Sequence, residues 1–330
     1  DKDGFLWIGT ANGLYKYDGQ RFTIYRNIPN QTNSIVNNVI HKLEVDENNV
    51  LWIGTVGGLC AYNVKKQQFF NSNKDLSDKD ITAIYTDKSD GSVWVGTNKS
   101  GVYHISKPDT EEESVEHFIY QPNQTNTINS NTVLSIAKDR HDNLWIGTDK
   151  GVNRMFMSTS DSKNFMHVKG FDKPVNSMLL DKKGRLWLGE RGTGVWSLEK
   201  PTSVHALDKI SFKKHDLNLD TFYEDFGKIN GIEEDVNGKL WIGVYGYGLY
   251  HLNTETADFN MYTPNDMYEE SLSNRRIQTL LIDKTNVIWV GTEVGGLNKS
   301  DLQKKDIYFL SRNMRTNNTL SNASVNAILE

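Results

Sequence analysis

Seven times along this chain of 330 residues an aspartate precedes a tryptophan. The gap is six residues at Asp1, Asp46, Asp139, Asp181, Asp235 and Asp283, and seven at Asp87. Acidic residues in a repeated turn could bind calcium, which takes six to eight oxygens, commonly from alternating carboxylates. Asp1 and Asp3 alternate in that way, but Asp181 is followed by Lys182 and Lys183, and the other copies are no better. The carboxylates therefore read as turn formers. Glycosidase chemistry would need paired carboxylates, or a tyrosine with an acid partner, across a pocket. No such constellation stands outside the repeat. The eight histidines are scattered, without an HxxxH or HExxH spacing, so no zinc site is expected. Cys60 is the only cysteine, and its repeat position makes it a small buried hydrophobe. No catalytic residue, metal ligand or cofactor is expected.

Binding chemistry has a better case. The connection Leu217–Lys228 breaks the repeat and carries Phe222 and Tyr223. By repeat order it lies beside two turns, one holding Arg191 and the other Tyr245 and Tyr247. The next connection adds Tyr268, Arg275 and Arg276. A pyranose stacks its apolar face on an aromatic ring, and its hydroxyls or carboxylate accept hydrogen bonds from arginine. Arg191, Phe222, Tyr223, Tyr245, Tyr247, Arg275 and Arg276 are thus the expected ligand-binding residues. The same side chains would also suit a contact with a neighbouring domain or a second copy, or stand as solvated loop.

The elements that position them follow from the periodicity. Trp-(Ile/Val/Leu)-Gly recurs at Trp7, Trp52, Trp94, Trp145, Trp187, Trp241 and Trp289, and only Trp196 falls outside the set. An apolar pair precedes each aspartate, as in Ile40/Leu43 and Val133/Ile136. Gly-(Leu/Val) follows each tryptophan after a turn, and then comes a Phe: Phe22, Phe69, Phe118, Phe165, Phe212, Phe259 and Phe309. Each unit thus holds four short strands: A with the apolar pair, B with Trp, C from Gly-Leu, and D with Phe. Four strands at this period signal an all-β, seven-bladed β-propeller of four-stranded blades over residues 1–330. The first unit lacks strand A, and Val325–Glu330 restores its frame, so the C-terminal strand is expected to join blade 1 and close the ring. Closure leaves no bare edges; an open array continuing at both ends is the alternative. Strand direction puts the D–A and B–C loops on one face. Three D–A loops share a pattern, at 33–38, 126–131 and 318–323, in which an apolar residue tucks under the rim and Ser/Asn side chains cap the turn.

At 37% hydrophobic and 24% charged, the chain can bury a core. A formal net charge of -5 argues against a nucleic-acid partner. No run of 18 apolar residues exists, so no direct membrane contact is expected. The absence of an initiator Met reads as a segment of a longer protein.

Asp1-Lys-Asp-Gly-Phe-Leu-Trp-Ile-Gly-Thr-Ala-Asn-Gly-Leu14, repeated at 139–152, resembles the two-component regulator propeller repeat. It is also similar to the Asp-box of sialidase-like propellers, but two residues rather than one separate Asp from Gly. The regulator resemblance spans essentially the whole chain and departs in the blade 5–6 region, at Gly243-Val-Tyr-Gly-Tyr-Gly-Leu249. It implies the periplasmic sensor region of a hybrid two-component histidine kinase that senses polysaccharide-derived oligosaccharides without catalysing a reaction. The implied partners are an adjacent propeller and a β-sandwich of the same chain, with homodimerisation of the full-length protein. A membrane helix, kinase, receiver and DNA-binding domain would follow. The alternatives are a structural or dimerisation propeller that transmits signal without ligand, and a glycosidase or lyase.

Overall fold

The computed structural model describes all residues except 72–73, 157–163, 199–209, 220–225, 266, 268–270, 304–306, 311–319 and 321–323; for 74 and 307–310 it gives only the backbone. Seven antiparallel four-stranded sheets form a ring. Blade 1 holds β1 (Leu6–Thr10), β2 (Gly13–Tyr17) and β3 (Phe22–Tyr25). Blade 2 holds β4 (Ile40–Val45), β5 (Val50–Thr55), β6 (Gly58–Asn63) and β7 (Gln68–Asn71). Blade 3 holds β8 (Ile81–Thr86), β9 (Val93–Thr97), β10 (Val102–Ser106) and β11 (Ser114–Phe118). Blade 4 holds β12 (Val133–Lys138), β13 (Asn143–Thr148), β14 (Gly151–Phe156) and β15 (Phe165–His167). Blade 5 holds β16 (Val175–Leu180), β17 (Leu186–Glu190), β18 (Gly194–Leu198) and β19 (Phe212–His215). Blade 6 holds β20 (Ile229–Glu234), β21 (Leu240–Val244), β22 (Gly248–Leu252) and β23 (Phe259–Tyr262). Blade 7 holds β24 (Ile277–Ile282), β25 (Val287–Thr292), β26 (Leu297–Asp301) and β27 (Ile307–Leu310), and the last strand is β28 (Val325–Leu329).

β28 is strand A of blade 1. It pairs with β1 in the register Trp7↔Leu329, Ile8↔Ile328 and Gly9↔Ala327. The expected closure is therefore the observed one, and the expected Phe stands in each strand D.

The repeat residues each have a physical task. In blade 2, Asp46 Oδ1 accepts the backbone N–H groups of Asn48 and Val50 at 2.8 and 2.9 Å, and Oδ2 accepts the Trp52 indole N–H at 3.2 Å. The indole bond recurs from Trp7 to Asp1 (2.6 Å), Trp145 to Asp139 (2.8 Å), Trp187 to Asp181 (2.9 Å) and Trp289 to Asp283 (2.7 Å). Both oxygens are thus occupied within the hairpin, which is the turn-forming role. The indole lies buried against the next blade; Trp7, for example, packs with Leu43, Ile53 and Tyr62. The glycine after each Trp-Ile permits that approach: a Cβ on Gly54 would lie 2.7 Å from Cγ2 of Ile81 in the next blade.

Two blades depart from this hairpin. The extra residue in blade 3 moves Asp87, whose Oδ2 binds Lys138 Nζ of blade 4 at 2.9 Å, and Trp94 stacks on His104 at 4.2 Å. In blade 6, His251 Nε2 meets Asp235 Oδ2 at 3.0 Å, and Trp241 stacks on His251 at 4.2 Å.

Around the central channel, side chains of one innermost strand bind the carbonyl that opens the next. Thr82 donates to Val133 O, Ser135 to Val175 O, Ser177 to Ile229 O, Asn230 to Ile277 O, and Asn326 to Ile40 O, at 2.5–3.0 Å. Between blades 2 and 3 the link is His41 Nδ1 to Asp80 Oδ1, at 3.0 Å. In the D–A loops, Ile35, Ile128 and Leu320 are buried as expected. Around Ile35, the Asn38 carboxamide accepts from the Asn27 amide and Ser34 Oγ from the Ile28 amide. Cys60 is fully buried, and burial pushes its thiol up to about 12, so it is a core residue and not a nucleophile.

Candidate functional site: the loop face of blades 5 to 7 and the channel mouth

The B–C turns and the incoming D–A loops share one face. Gly13 N–H donates to Asn38 O, Gly101 N–H to Asn131 O, and Gly246 N–H to Arg275 O. At blades 5 to 7 these bonds chain together: Gly192 N–H to Gly227 O, Gly227 N–H to Tyr245 O, and Tyr245 N–H to Lys228 O. Gly246 has φ of 85°, and a Cβ there would lie 2.6 Å from the Phe226 ring, so only glycine lets this turn seat on that ring.

Of the expected ligand residues, the structure brings Tyr245, Tyr247 and Arg276 together. Phe226 packs edge-on against both tyrosines at 6.0 and 6.3 Å. Lys228 Nζ lies 5.6 Å from the Tyr245 ring centre, and the Arg276 guanidinium lies 6.0 Å from it. Glu293 ties the cluster: its Oε2 accepts from the Tyr245 hydroxyl at 2.8 Å and pairs with Arg276 at 3.0 Å. Arg275 is exposed and meets the cluster through its backbone. Arg191 is half-buried on the neighbouring turn; its Nε is buried without a hydrogen-bond partner. Phe222 and Tyr223, with Tyr268, lie outside the described residues.

The sequence reading missed Glu293. It follows Thr292 in the blade 7 turn and resembles a solvated turn residue until the fold sets it opposite Tyr245. It also missed the channel. The second residue of each innermost strand faces the mouth on the loop side, and His41, Thr82, Asn176, Asn230, Gln278 and Asn326 line a cavity of about 300 Å³ there. Four of them are carboxamides from consecutive blades: Asn176, Asn230, Gln278 and Asn326. Lys228 and Arg276 on the rim stand two residues before Asn230 and Gln278 at the mouth.

Deeper in the channel, Lys42, Glu44 and Glu233 line a second cavity of about 230 Å³. Burial raises the Glu44 carboxyl to about 7, against smaller opposing effects of Lys88, Thr86 and Lys42. Burial and then the Glu44 charge raise Glu233 to about 8. Burial lowers Lys42. Carboxyls raised in the folded state bind more protons there than in the unfolded chain between about pH 4.5 and 8, so stability falls as pH rises through that window. The Glu44→Gln/Glu233→Gln double variant is expected to match the parent near pH 4 and to exceed it by about 2 kcal/mol near pH 8, well below the full linkage value because water enters the channel. Urea unfolding across this range checks it; parallel stability curves would contradict the shifted pair.

The model of the two-component regulator propeller matches residues 127–150 and 271–294, the Trp145 and Trp289 repeats. These are two-component regulator propeller repeats. Histidine kinase P4 of Formosa agariphila is 26% identical to this chain over 202 residues, 59% of this chain and 14% of that protein. The extracellular domain of a hybrid two-component system from B. thetaiotaomicron superposes with a TM-score of 0.73 at 22% identity, covering 91% of this chain and 37% of that one. A streptogramin B lyase superposes with a TM-score of 0.62 at 13% identity, covering 94% of this chain and 89% of that one. The chain therefore spans about a seventh of the curated relative it matches, and the structural likenesses establish the propeller fold.

Proposed function

We propose that this regulator propeller is a non-catalytic, ligand-sensing part of an extracytoplasmic, periplasmic sensor of the hybrid two-component type, and that its ligand is an oligosaccharide. The observation that carries the reading is the Tyr245 cluster, two of whose cations, Lys228 and Arg276, stand two residues before carboxamides of the channel mouth. An aromatic ring flanked by two cations and a carboxylate, beside convergent carboxamides, offers both a stacking face and donors and acceptors for hydroxyls. The comparisons support the sensor setting: a histidine kinase relative and an extracellular domain of a hybrid system share the repeat or the fold. In this reading the chain is one propeller of a longer protein, beside a second propeller and a β-sandwich, and the full-length protein is a homodimer.

Calorimetry against a panel of oligosaccharides is the test. Binding is expected to weaken at least tenfold in Tyr245→Ala and Asn230→Ala. Tight binding that ignores both substitutions would move the site elsewhere, and turnover of any glycan would replace the reading with an enzymatic one. A second reading has its own support: Glu293 already engages the Tyr245 hydroxyl and Arg276, which suits a preformed contact surface for a neighbouring domain. It predicts no oligosaccharide affinity in the isolated propeller.

A further inference from the structure

The seven innermost strands, all among the described residues, enclose the deeper channel cavity of about 230 Å³. Its middle level is formed by the third residue of each strand. Six of these are small: Ala83, Ser135, Ser177, Gly231, Thr279 and Ala327. The seventh is Lys42, so one long cationic side chain lines the room that its small neighbours leave. The fifth residues form the next level, and there Glu44 of blade 2 and Glu233 of blade 6 line the cavity.

The protein does not match these three groups to one another. Lys42 and Glu44, two apart on β4, share the channel face, yet they form no ion pair. Among the described residues, Lys42 and Glu233 have no hydrogen-bond or ion-pair partner. Glu44 has one long contact, 3.5 Å from the Thr86 hydroxyl, and Lys88 in the exposed turn beyond acts on it only from a distance. The Ser135 and Ser177 hydroxyls already donate to Val175 O and Ile229 O. Ionisable groups drawn out of water without partners are unfavourable, and burial accordingly raises both carboxyls and lowers the amine. Gathered in one cavity, such groups are a mark of functional sites.

We propose that the deeper channel binds a small zwitterion, a free α-amino acid, with its carboxylate on Lys42 and its ammonium between Glu44 and Glu233. A simple anion would satisfy only the upper level, and a simple cation only the lower. Two residues along a strand advance roughly 6.6 Å. A charge-assisted hydrogen bond spans about 2.8 Å, so a molecule whose carboxylate and ammonium lie a few ångströms apart bridges the two levels. A cavity of about 230 Å³ suits a ligand of that size. The site lies below the carboxamide mouth, and it stands whether or not the rim binds an oligosaccharide.

The test is calorimetric titration of the chain with the common L-amino acids one at a time, each beside its decarboxylated amine and its deaminated acid. Saturable binding is expected from at least one amino acid, with the matching amine and acid each at least tenfold weaker. Lys42→Met and the double variant Glu44→Gln/Glu233→Gln are each expected to weaken that amino acid at least tenfold. The double variant is expected to be no less stable than the unsubstituted chain, so it keeps the test decisive should Lys42→Met fold poorly. Three results would overturn the proposal: no saturable binding by any amino acid, an amine or acid that binds as tightly as the amino acid, or unchanged affinity in either folded variant.

Discussion

Deleting residues 325–330 is expected to destabilise the propeller more than any single substitution, by about 5 kcal/mol or more. β28 is the only source of strand A for blade 1. Val325, Ala327 and Ile328 are buried, and burying a Val or Ile side chain stabilises by about 1.5–3 kcal/mol each. The deletion also removes the Asn326 bond to Ile40 O and bares the edge of β1, a template for unwanted pairing. Thermal and urea unfolding followed by tryptophan fluorescence check the prediction. A melting temperature equal to that of the intact chain would show that β28 does not close the ring.

The second large effect is expected at Asp139. Its carboxylate accepts from the backbone N–H groups of His141 and Asn143 at 2.8 and 3.1 Å, from Asn143 Nδ2 at 2.9 and 2.7 Å, and from the Trp145 indole at 2.8 Å. Asn143 Oδ1 in turn accepts from Nε of the buried Arg154 at 2.9 Å. Replacing Asp139 with alanine leaves several buried donors unmatched and removes the negative charge near a buried guanidinium. The expected loss is about 3–5 kcal/mol. Asp139→Asn keeps one acceptor oxygen, so its loss is expected to be smaller. Urea unfolding of both variants provides the comparison; equal, small losses would mean that the hairpin is held by its backbone alone.

The fold was legible because its determinants are local and repeated. Trp, the preceding Asp and the following Gly mark strand B and its turn in each blade, and Val325 with Ile328 shows the same spacing as Ile40 with Leu43. The site was legible in part. The break at Tyr245-Gly-Tyr247 fell on the turn at which the Tyr245 cluster forms, and Arg276 reaches it. Glu293 was not legible, because its partner lies on another blade and only the ring's curvature brings the two together. Glu44 and Glu233 were hidden for the same reason: each looks like an ordinary strand residue until seven strands converge on one channel. Trp241 misleads in the other direction. It keeps the repeat's spacing to Asp235, yet its indole loses that carboxylate to His251, a neighbour across the hairpin.

The bonds between adjacent innermost strands also rank the joints of the ring by mechanical strength. Six of the seven carry a side-chain link across the gap. Among the described residues, no such link joins β24 to β28, where Gln278 accepts instead from Asn230 on the opposite side. Tension applied around the hoop would therefore be shared by six fastened joints and concentrated at the one between blades 7 and 1. A pull from a neighbouring domain would part the ring there first, and the force at which it parts would depend on the apolar packing of Trp289 against Tyr17 and Ile328 and on the bond from the Lys284 N–H to the Glu330 carboxylate.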